Sequence, residues 1–316
     1  SHSQETLRRV SQNNPSFTEL TLVDDNAEGA AVFYSDNSDD YSTLGAAIAS
    51  NTHLKKLEVM LSDDLPLTVA DREFYDGLKA NSSINKLTFF CRGQNIAVGV
   101  GQEILKAYQE NNSQLTYLSI SDANLQNGGD RVIVDTLRSC RNLRKVYLYN
   151  CNITDEQLLP IVDAIREHCM LEDLTLRGDN IGNAGCDAIA ALLTDPNCNL
   201  RALYLGNNAI TAEGAITIAN SLRTNNKLQK LYLQDNPIDQ SIEDTFCKVL
   251  CNTTSIGQIY SFNHTLQTLL FGHVYGQNLH SLLRLNRNGN NKSHVAIKKI
   301  VQCYPNIDVE PLFEWG

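Results

Sequence analysis

The chain has no apolar run approaching the roughly 18 residues that a bilayer span requires, so no membrane segment is expected. Basic charge is also scarce: 26 Lys and Arg stand against 36 Asp and Glu, for a net charge of −10. Sequence-independent nucleic-acid binding needs clustered basic side chains that displace counterions, and this balance disfavours it. A neutral or basic protein partner suits the acidic balance better through steering. Catalytic signatures are missing as well. The histidines (His2, His53, His168, His264, His273, His280 and His294) form no His-Glu-x-x-His motif and no pair at metal-ligand spacing. There is no Gly-x-x-x-x-Gly-Lys-Ser/Thr loop and no Gly-x-Ser-x-Gly elbow. The glycines of GVGQE at 99–103 resemble a phosphate loop only superficially, because they open a helix and lack the flanking pattern. No enzyme, metal or cofactor is expected. The nine cysteines are scattered, odd in number and not clustered at the ends. They read as reduced thiols of a cytoplasmic, intracellular protein.

What the chain does have is a repeat. Leu-x-x-Leu-x-Leu recurs at Leu143 (LRKVYL), Leu171 (LEDLTL), Leu200 (LRALYL) and Leu228 (LQKLYL). Weaker copies start at Phe17, Leu54, Ile84, Leu115 and Ile256. The steps between copies run from 28 to 37 residues, most of them 28 or 29 in the second half. A fixed period in this range means stacked units, each too small to bury its own apolar face. In the unit from Leu200, Leu203 and Leu205 alternate with Ala202, Tyr204 and Gly206, which predicts a half-buried strand. Asn208 follows where the chain must turn, and its amide can satisfy backbone groups of neighbouring turns. Asn236 repeats that role, with Cys151, Asp179 and His264 as its counterparts in other units. Thr211 is the predicted N-cap of a helix whose apolar stripe is Ile216, Ala219 and Leu222.

Each unit is therefore one strand, one turn and one helix. Stacking predicts an α/β horseshoe with a parallel concave sheet and convex helices. About nine such units and their irregular N-terminal copies fill 1–266, and 267–316 reads as a helical cap. The acidic or polar stretches 24–43 and 61–68 are predicted to project as loops.

The pattern LxxLxLxxNxI followed by GAxxIAxxL, carried by Leu171 to Leu192 and Leu200 to Leu222, resembles the ribonuclease-inhibitor-type leucine-rich repeat family. That resemblance implies a binding solenoid. It spans ribonuclease inhibitors, activators of the Ran GTPase, immune sensors and the actin-capping tropomodulins. The run NNPSFTELTLVDDN is similar to the start of a tropomodulin repeat domain. NPSFTEL, NTHLKKL, SFNHTLQTL, LLRLNRNGNN and NIDVEPLFEW resemble a layout found in repeat proteins of unicellular algae, where the chain continues past the last of these segments. By that resemblance the cap is expected to be truncated at Gly316.

Solenoids of this kind bind on the strand face. Tyr147, Tyr149, Arg177, Tyr204, Tyr232, Tyr260 and Phe262 fall between or just after the second and third apolar positions of their units, and are the expected partner-binding residues. Tyr and Arg are enriched at binding hot spots, and strands about 4.8 Å apart would line the tyrosines into a stripe. The same tyrosines also suit a sheet-stabilising ladder. The expected function is non-catalytic protein binding or scaffolding, with GTPase regulation, actin binding and enzyme inhibition as alternatives.

Overall fold

The computed structural model describes residues 2–23, 31–61, 72–110, 114–167, 170–252, 259, 262–272, 276–289 and 291–306. The chain forms two units, Ser1–Ile153 with Asp163–Leu171, and Thr154–Val162 with Glu172–Gly316. The boundary runs through α6 (Asp155–Arg166).

The first unit alternates α1 (His2–Ser11), β1 (Glu19–Leu22), β2 (Val32–Phe33), α2 (Ser38–Ser50), β3 (Lys56–Met60), α3 (Arg72–Ala80), β4 (Lys86–Phe90), α4 (Gly99–Glu110), β5 (Tyr117–Ser121), α5 (Gly129–Ser139) and β6 (Lys145–Tyr149). Its strands are all parallel, in the order β6-β5-β4-β3-β1-β2. The register aligns the second apolar position of every copy: Leu20, Leu57, Leu87, Leu118 and Val146 lie side by side and are fully buried. Burying one such side chain contributes about 2 kcal/mol, and the row exists only because the copies stack.

The stretch 24–43 is not wholly a loop. Val32 and Phe33 form β2 on the edge of β1, and α2 begins at Ser38. The acidic run that suggested a loop is a helix start. Asn37 accepts from the Asp39 backbone N–H at 3.1 Å, and Asp39 and Asp40 occupy the first turn, where the helix dipole favours negative charge. Phe33 and Tyr41 within the stretch are core. The Phe33 ring meets Tyr41 edge-on at 5.3 Å, and Tyr41 meets Phe74 at 5.7 Å. Residues 62–68 of the other predicted loop lie outside the described residues.

The second unit contains β7 (Asp173–Arg177), α7 (Asn183–Thr194), β8 (Ala202–Tyr204), α8 (Ala212–Ser221), β9 (Lys230–Tyr232), α9 (Glu243–Leu250), β10 (Thr268–Leu270), α10 (Gln277–Arg287) and α11 (Lys292–Cys303). Its strands are parallel in the order β10-β9-β8-β7. Asn208 and Asn236 bond across neighbouring turns. Asn208 Nδ2 donates to Leu176 O at 2.7 Å and Leu205 O at 3.1 Å, and its Oδ1 accepts from Ile181 N at 3.1 Å. Asn236 repeats this one unit on, to Leu205 O at 2.8 Å and Leu233 O at 2.9 Å, accepting from Ile210 N at 3.1 Å. Asn207 and Asp235, just before them, adopt left-handed backbone at φ 56° and 59°, which Asn and Asp tolerate. In the first unit, buried Cys151 lies at the same point, with Sγ 3.3 Å from Tyr149 O. Asp179 is buried at its own ladder position.

The starts of α7, α8 and α10 are capped from an earlier repeat rather than locally. Thr211 makes no side-chain cap bond. Instead Asn183, one repeat earlier, accepts from Thr211 N at 3.1 Å and Gly214 N at 3.2 Å. Asp155 does the same for Gly182 N at 2.7 Å, and Glu243 for Gly276 N at 2.8 Å. This explains the glycine in GAxxIA. A methyl at Gly185 would come within 2.6 Å of Asp155 Oδ1, and one at Gly214 within 2.6 Å of Asn183 Oδ1.

The last strand does not lie where the Ile256 copy placed it. β10 aligns Leu269 with Leu231, so the final motif is Leu266-x-x-Leu269-x-Phe271 and the step from Leu228 is longer than 28 residues. The repeat sheet therefore enters the segment read as cap, and α10 and α11 follow it. His264 precedes this strand and does not occupy the turn ladder. Its Nδ1 sits 3.1 Å from Nζ of Lys299, which is fully buried on α11.

Lys299 Nζ also donates to Leu250 O at 2.7 Å and Asn263 O at 3.0 Å. Burial lowers its pKa from 10.5 to about 7. Below pH 7 both folded and unfolded chains hold this proton, and the full cost of a buried ammonium stands. Between about 7 and 10.5 the unfolded chain binds the proton more tightly, so folded stability rises with pH. The thermal midpoint of the native chain, relative to Lys299→Met, should accordingly climb by several degrees from pH 6.5 to 9.5. Taking the difference cancels the titration of the cysteines, which both chains share. A flat difference would mean that the amine is neutral throughout or is reached by water.

Candidate interaction surface

Side chains at the first, third and fifth positions of each strand leave the core on one side. In the second unit the third-position row is Thr175, Tyr204, Tyr232 and Leu270, placed side by side by the register. Tyr204 and Tyr232 stack face to face, with centroids 4.5 Å apart and planes 7° from parallel. Both are half-exposed, and Leu270 beside them is 40% exposed. Arg177 is exposed at the end of β7. Leu270 also lines a cavity of about 270 Å³ whose basic members are His280, Arg284 and Arg287. This row therefore ends at a positively charged groove.

In the first unit Tyr147 and Tyr149 are half-exposed on the strand face, with ring centroids 6.0 Å apart. Tyr117 joins them, edge-on to Tyr147 at 5.3 Å. It stands in a first-position row with Lys56, Lys86 and Lys145. Lys56 is held by Glu58 at 2.7 Å, a bond that raises its pKa. Met60 and Phe90 lie in the row that ends at Tyr149.

One expected residue, Phe262, is not part of this surface. Phe262 is buried, with the Arg223 guanidinium 5.8 Å from its ring. It lies ahead of β10 because that strand starts later than the motif count implied. Tyr260 lies outside the described residues. Leu270 takes the third position of β10, beside Tyr232, which LQTLLF at 266–271 could have revealed. Tyr117 escaped notice because it precedes the second apolar position of its copy instead of following it.

Among the described residues no group of three or more His, Cys, Asp or Glu is arranged to hold a metal, and no helix is long and apolar enough to cross a membrane.

Residues 197–219 match the Leucine Rich repeat family model, and 227–249 match a second Leucine Rich Repeat model. The mouse (Mus musculus) ribonuclease inhibitor is 31% identical over 137 residues, covering 43% of this chain and 29% of that protein. NACHT, LRR and PYD domains-containing protein 3 of Bos taurus is 28% identical over 157 residues, 48% of this chain and 15% of its own length. The chain thus spans less than a third of these curated relatives. A solved structure, leiomodin-1 actin-binding site 2, aligns with 49% of this chain and 88% of its own at TM-score 0.41 and 21% identity. The chain is built of leucine-rich repeats that are similar to those of the ribonuclease inhibitors.

Proposed function

We propose that this chain is a non-catalytic binding module that holds a protein partner on its strand face. The observation that carries the reading is the stacked Tyr204–Tyr232 pair, half-exposed beside exposed Leu270. Aromatic rings held rigidly at a surface supply large contact area at low entropic cost, and buried aromatic anchors dominate interface energies. The fitting partner segment presents an apolar or planar side chain to the tyrosines and a carboxylate to Arg284 and Arg287. Ribonuclease inhibitor, to which part of the chain is similar, is by name an inhibitor of another protein, which supports the class and leaves the partner's identity open. A reducing, cytoplasmic setting is part of the proposal. It is supported by eight described cysteines that form no disulfide. We place the end cap of the solenoid in α10 and α11, beyond β10.

Affinity capture from a lysate of the source organism, with the native chain beside Tyr204→Ala/Tyr232→Ala, tests the reading. Each tyrosine should contribute about 2 kcal/mol or more to binding if the pair is a hot spot, so captured proteins should be lost. The strand-pair contribution lost is only about 1 kcal/mol per residue, so the thermal midpoint should fall by no more than about 4 °C. Identical captures, or a large loss of stability with capture intact, would make the pair sheet structure.

A further inference from the structure

We propose that Cys251 and Cys303 form a thiol-oxidation site, at which a hydroperoxide closes a disulfide between the end of α9 and the end of α11. The two Sγ atoms lie 3.5 Å apart. Cys251 is the first residue beyond α9 and is buried, and Cys303 closes α11 and is partly exposed. Neither position depends on a covalent link. Cys251 N donates to Cys247 O at 2.8 Å, and Tyr304 N donates to Ile300 O at 2.8 Å. Lys299, one turn before Cys303, reaches the carbonyl of Leu250, the residue preceding Cys251, at 2.7 Å. The buried amine thus clamps the two thiol-bearing segments together. A disulfide needs an S–S separation of about 2.05 Å, an approach of about 1.5 Å made where both helices end.

Access sets the order of events. Cys303 is the thiol that a small oxidant can reach. Burial pushes Cys251 up to about 12 and the neighbouring Cys247 up to about 11, so both stay protonated. The Cys303 sulfur attacks a peroxide oxygen, the O–O bond breaks, and a sulfenic acid forms with release of water, or of an alcohol from an organic hydroperoxide. The Cys251 sulfur then displaces the sulfenic hydroxyl, which leaves as a second water carrying the Cys251 proton. Two thiols are oxidised to one disulfide and one peroxide is reduced. The bond spans a sequence separation of 52 residues that contains all of β10 and α10. Closing a loop that long constrains the unfolded chain strongly. Oxidation therefore staples the strand that carries Leu270, and with it the end of the proposed binding row.

The test treats the reduced chain with a small molar excess of hydrogen peroxide, blocks remaining thiols by alkylation, and maps tryptic peptides by mass spectrometry. Cleavage after Lys230, Lys248, Arg284 and Lys299 separates the three thiols onto peptides 231–248, 249–284 and 300–316. The expected product is 249–284 linked to 300–316, with a thermal midpoint about 5 °C or more above the reduced chain. Cys303→Ser should fold with the reduced midpoint of the native chain and lose both the link and the gain. Recovery of 300–316 linked to 231–248, or as a sulfinic acid with 249–284 fully alkylated, would overturn the proposal. So would an equal gain in midpoint in Cys303→Ser.

Discussion

Gly77→Ala is expected to cost about 2–4 kcal/mol of stability, although alanine ordinarily stabilises a helix interior over glycine by about 1 kcal/mol. The sign is decided by what the new methyl meets. α2 and α3 approach through two glycines. A Cβ on Gly77 would overlap the carbonyl of Gly45 and lie 2.6 Å from Gly45 Cα. From the other side, a Cβ on Gly45 would lie 2.6 Å from Phe74 Cα and 2.7 Å from Glu73 O. These are backbone atoms, so no side-chain rotation relieves the overlap and one helix must move away. Moving it loosens Phe74, Leu78, Leu44 and Ile48, all fully buried, and overpacking of this kind costs about 1–3 kcal/mol before the lost contacts are counted. Two-state thermal or urea unfolding of the variant measures the effect, and a drop of about 4–12 °C in midpoint is expected. Ala46→Gly is the control, at an exposed site of the facing helix α2, where only the propensity of about 1 kcal/mol is at stake. A Gly77→Ala chain as stable as the native one would mean that the helices are not held in this contact.

That contact shows what the repeat pattern reveals and what it hides. The Leu-x-x-Leu-x-Leu copies at Leu143, Leu171, Leu200 and Leu228 read directly as strands because a period of two with branched apolar residues has few other uses in so short a run. The asparagine turn at Asn208 and Asn236 was legible for the same reason, since a polar side chain at a fixed offset has one set of backbone partners. Residues 24–43 differ from the loop that their composition predicts, because position outweighs composition there. Asp36, Asp39 and Asp40 surround a helix start, and Phe33 and Tyr41 inside that stretch are core. The capping of Gly214 by Asn183 could not be seen in one unit, since donor and acceptor lie 31 residues apart.

The candidate surface was legible where the period held. Tyr147 and Tyr149 stand half-exposed on the strand face of the first unit, and Tyr204 and Tyr232 on that of the second. It failed where the period broke. Counting 28 residues on from Leu228 gave Ile256 and so Tyr260 and Phe262. The chain instead delays its last strand to Thr268, which turns Phe262 into the core and brings Leu270 to the surface. An asparagine three places ahead of the first apolar position in most copies would have corrected the count. Asn14, Asn51, Asn81, Asn225 and Asn263 precede Phe17, Leu54, Ile84, Leu228 and Leu266 in that way. All five accept backbone N–H groups of the residues that follow them.

Asn81→Ala should therefore be among the most damaging changes to the first unit, at about 4 kcal/mol, even though it adds no bulk and leaves the apolar core intact. Asn81 is 2% exposed. Its Nδ2 donates to Ile48 O at 2.7 Å and Asn51 O at 2.8 Å, and its Oδ1 accepts from Ser83 N at 2.9 Å and Ile84 N at 2.8 Å. One side chain thus ends a helix, starts the next strand and ties both to the preceding repeat. Alanine leaves four backbone groups to find other partners, at about 1 kcal/mol or more for each that stays buried. A loss of that size is a large share of the roughly 5–15 kcal/mol that holds a domain folded. Asn81→Asp separates the two halves of the argument. It keeps the acceptor for Ser83 and Ile84 but turns a carboxylate toward two carbonyls, so it should be as damaging as alanine at pH 7 and recover in part as acid protonates the new group. Urea unfolding of both variants at pH 7 and pH 4.5 measures this. A loss below about 1 kcal/mol in Asn81→Ala would mean that water can replace the amide. The same commitment settles the Asn-x-Ser/Thr sequences at Asn81 and Asn263. Both amide nitrogens are buried and bonded to carbonyls of earlier repeats, so the folded chain presents neither to a glycosyl donor, and the asparagine recurs there because the stack needs its amide.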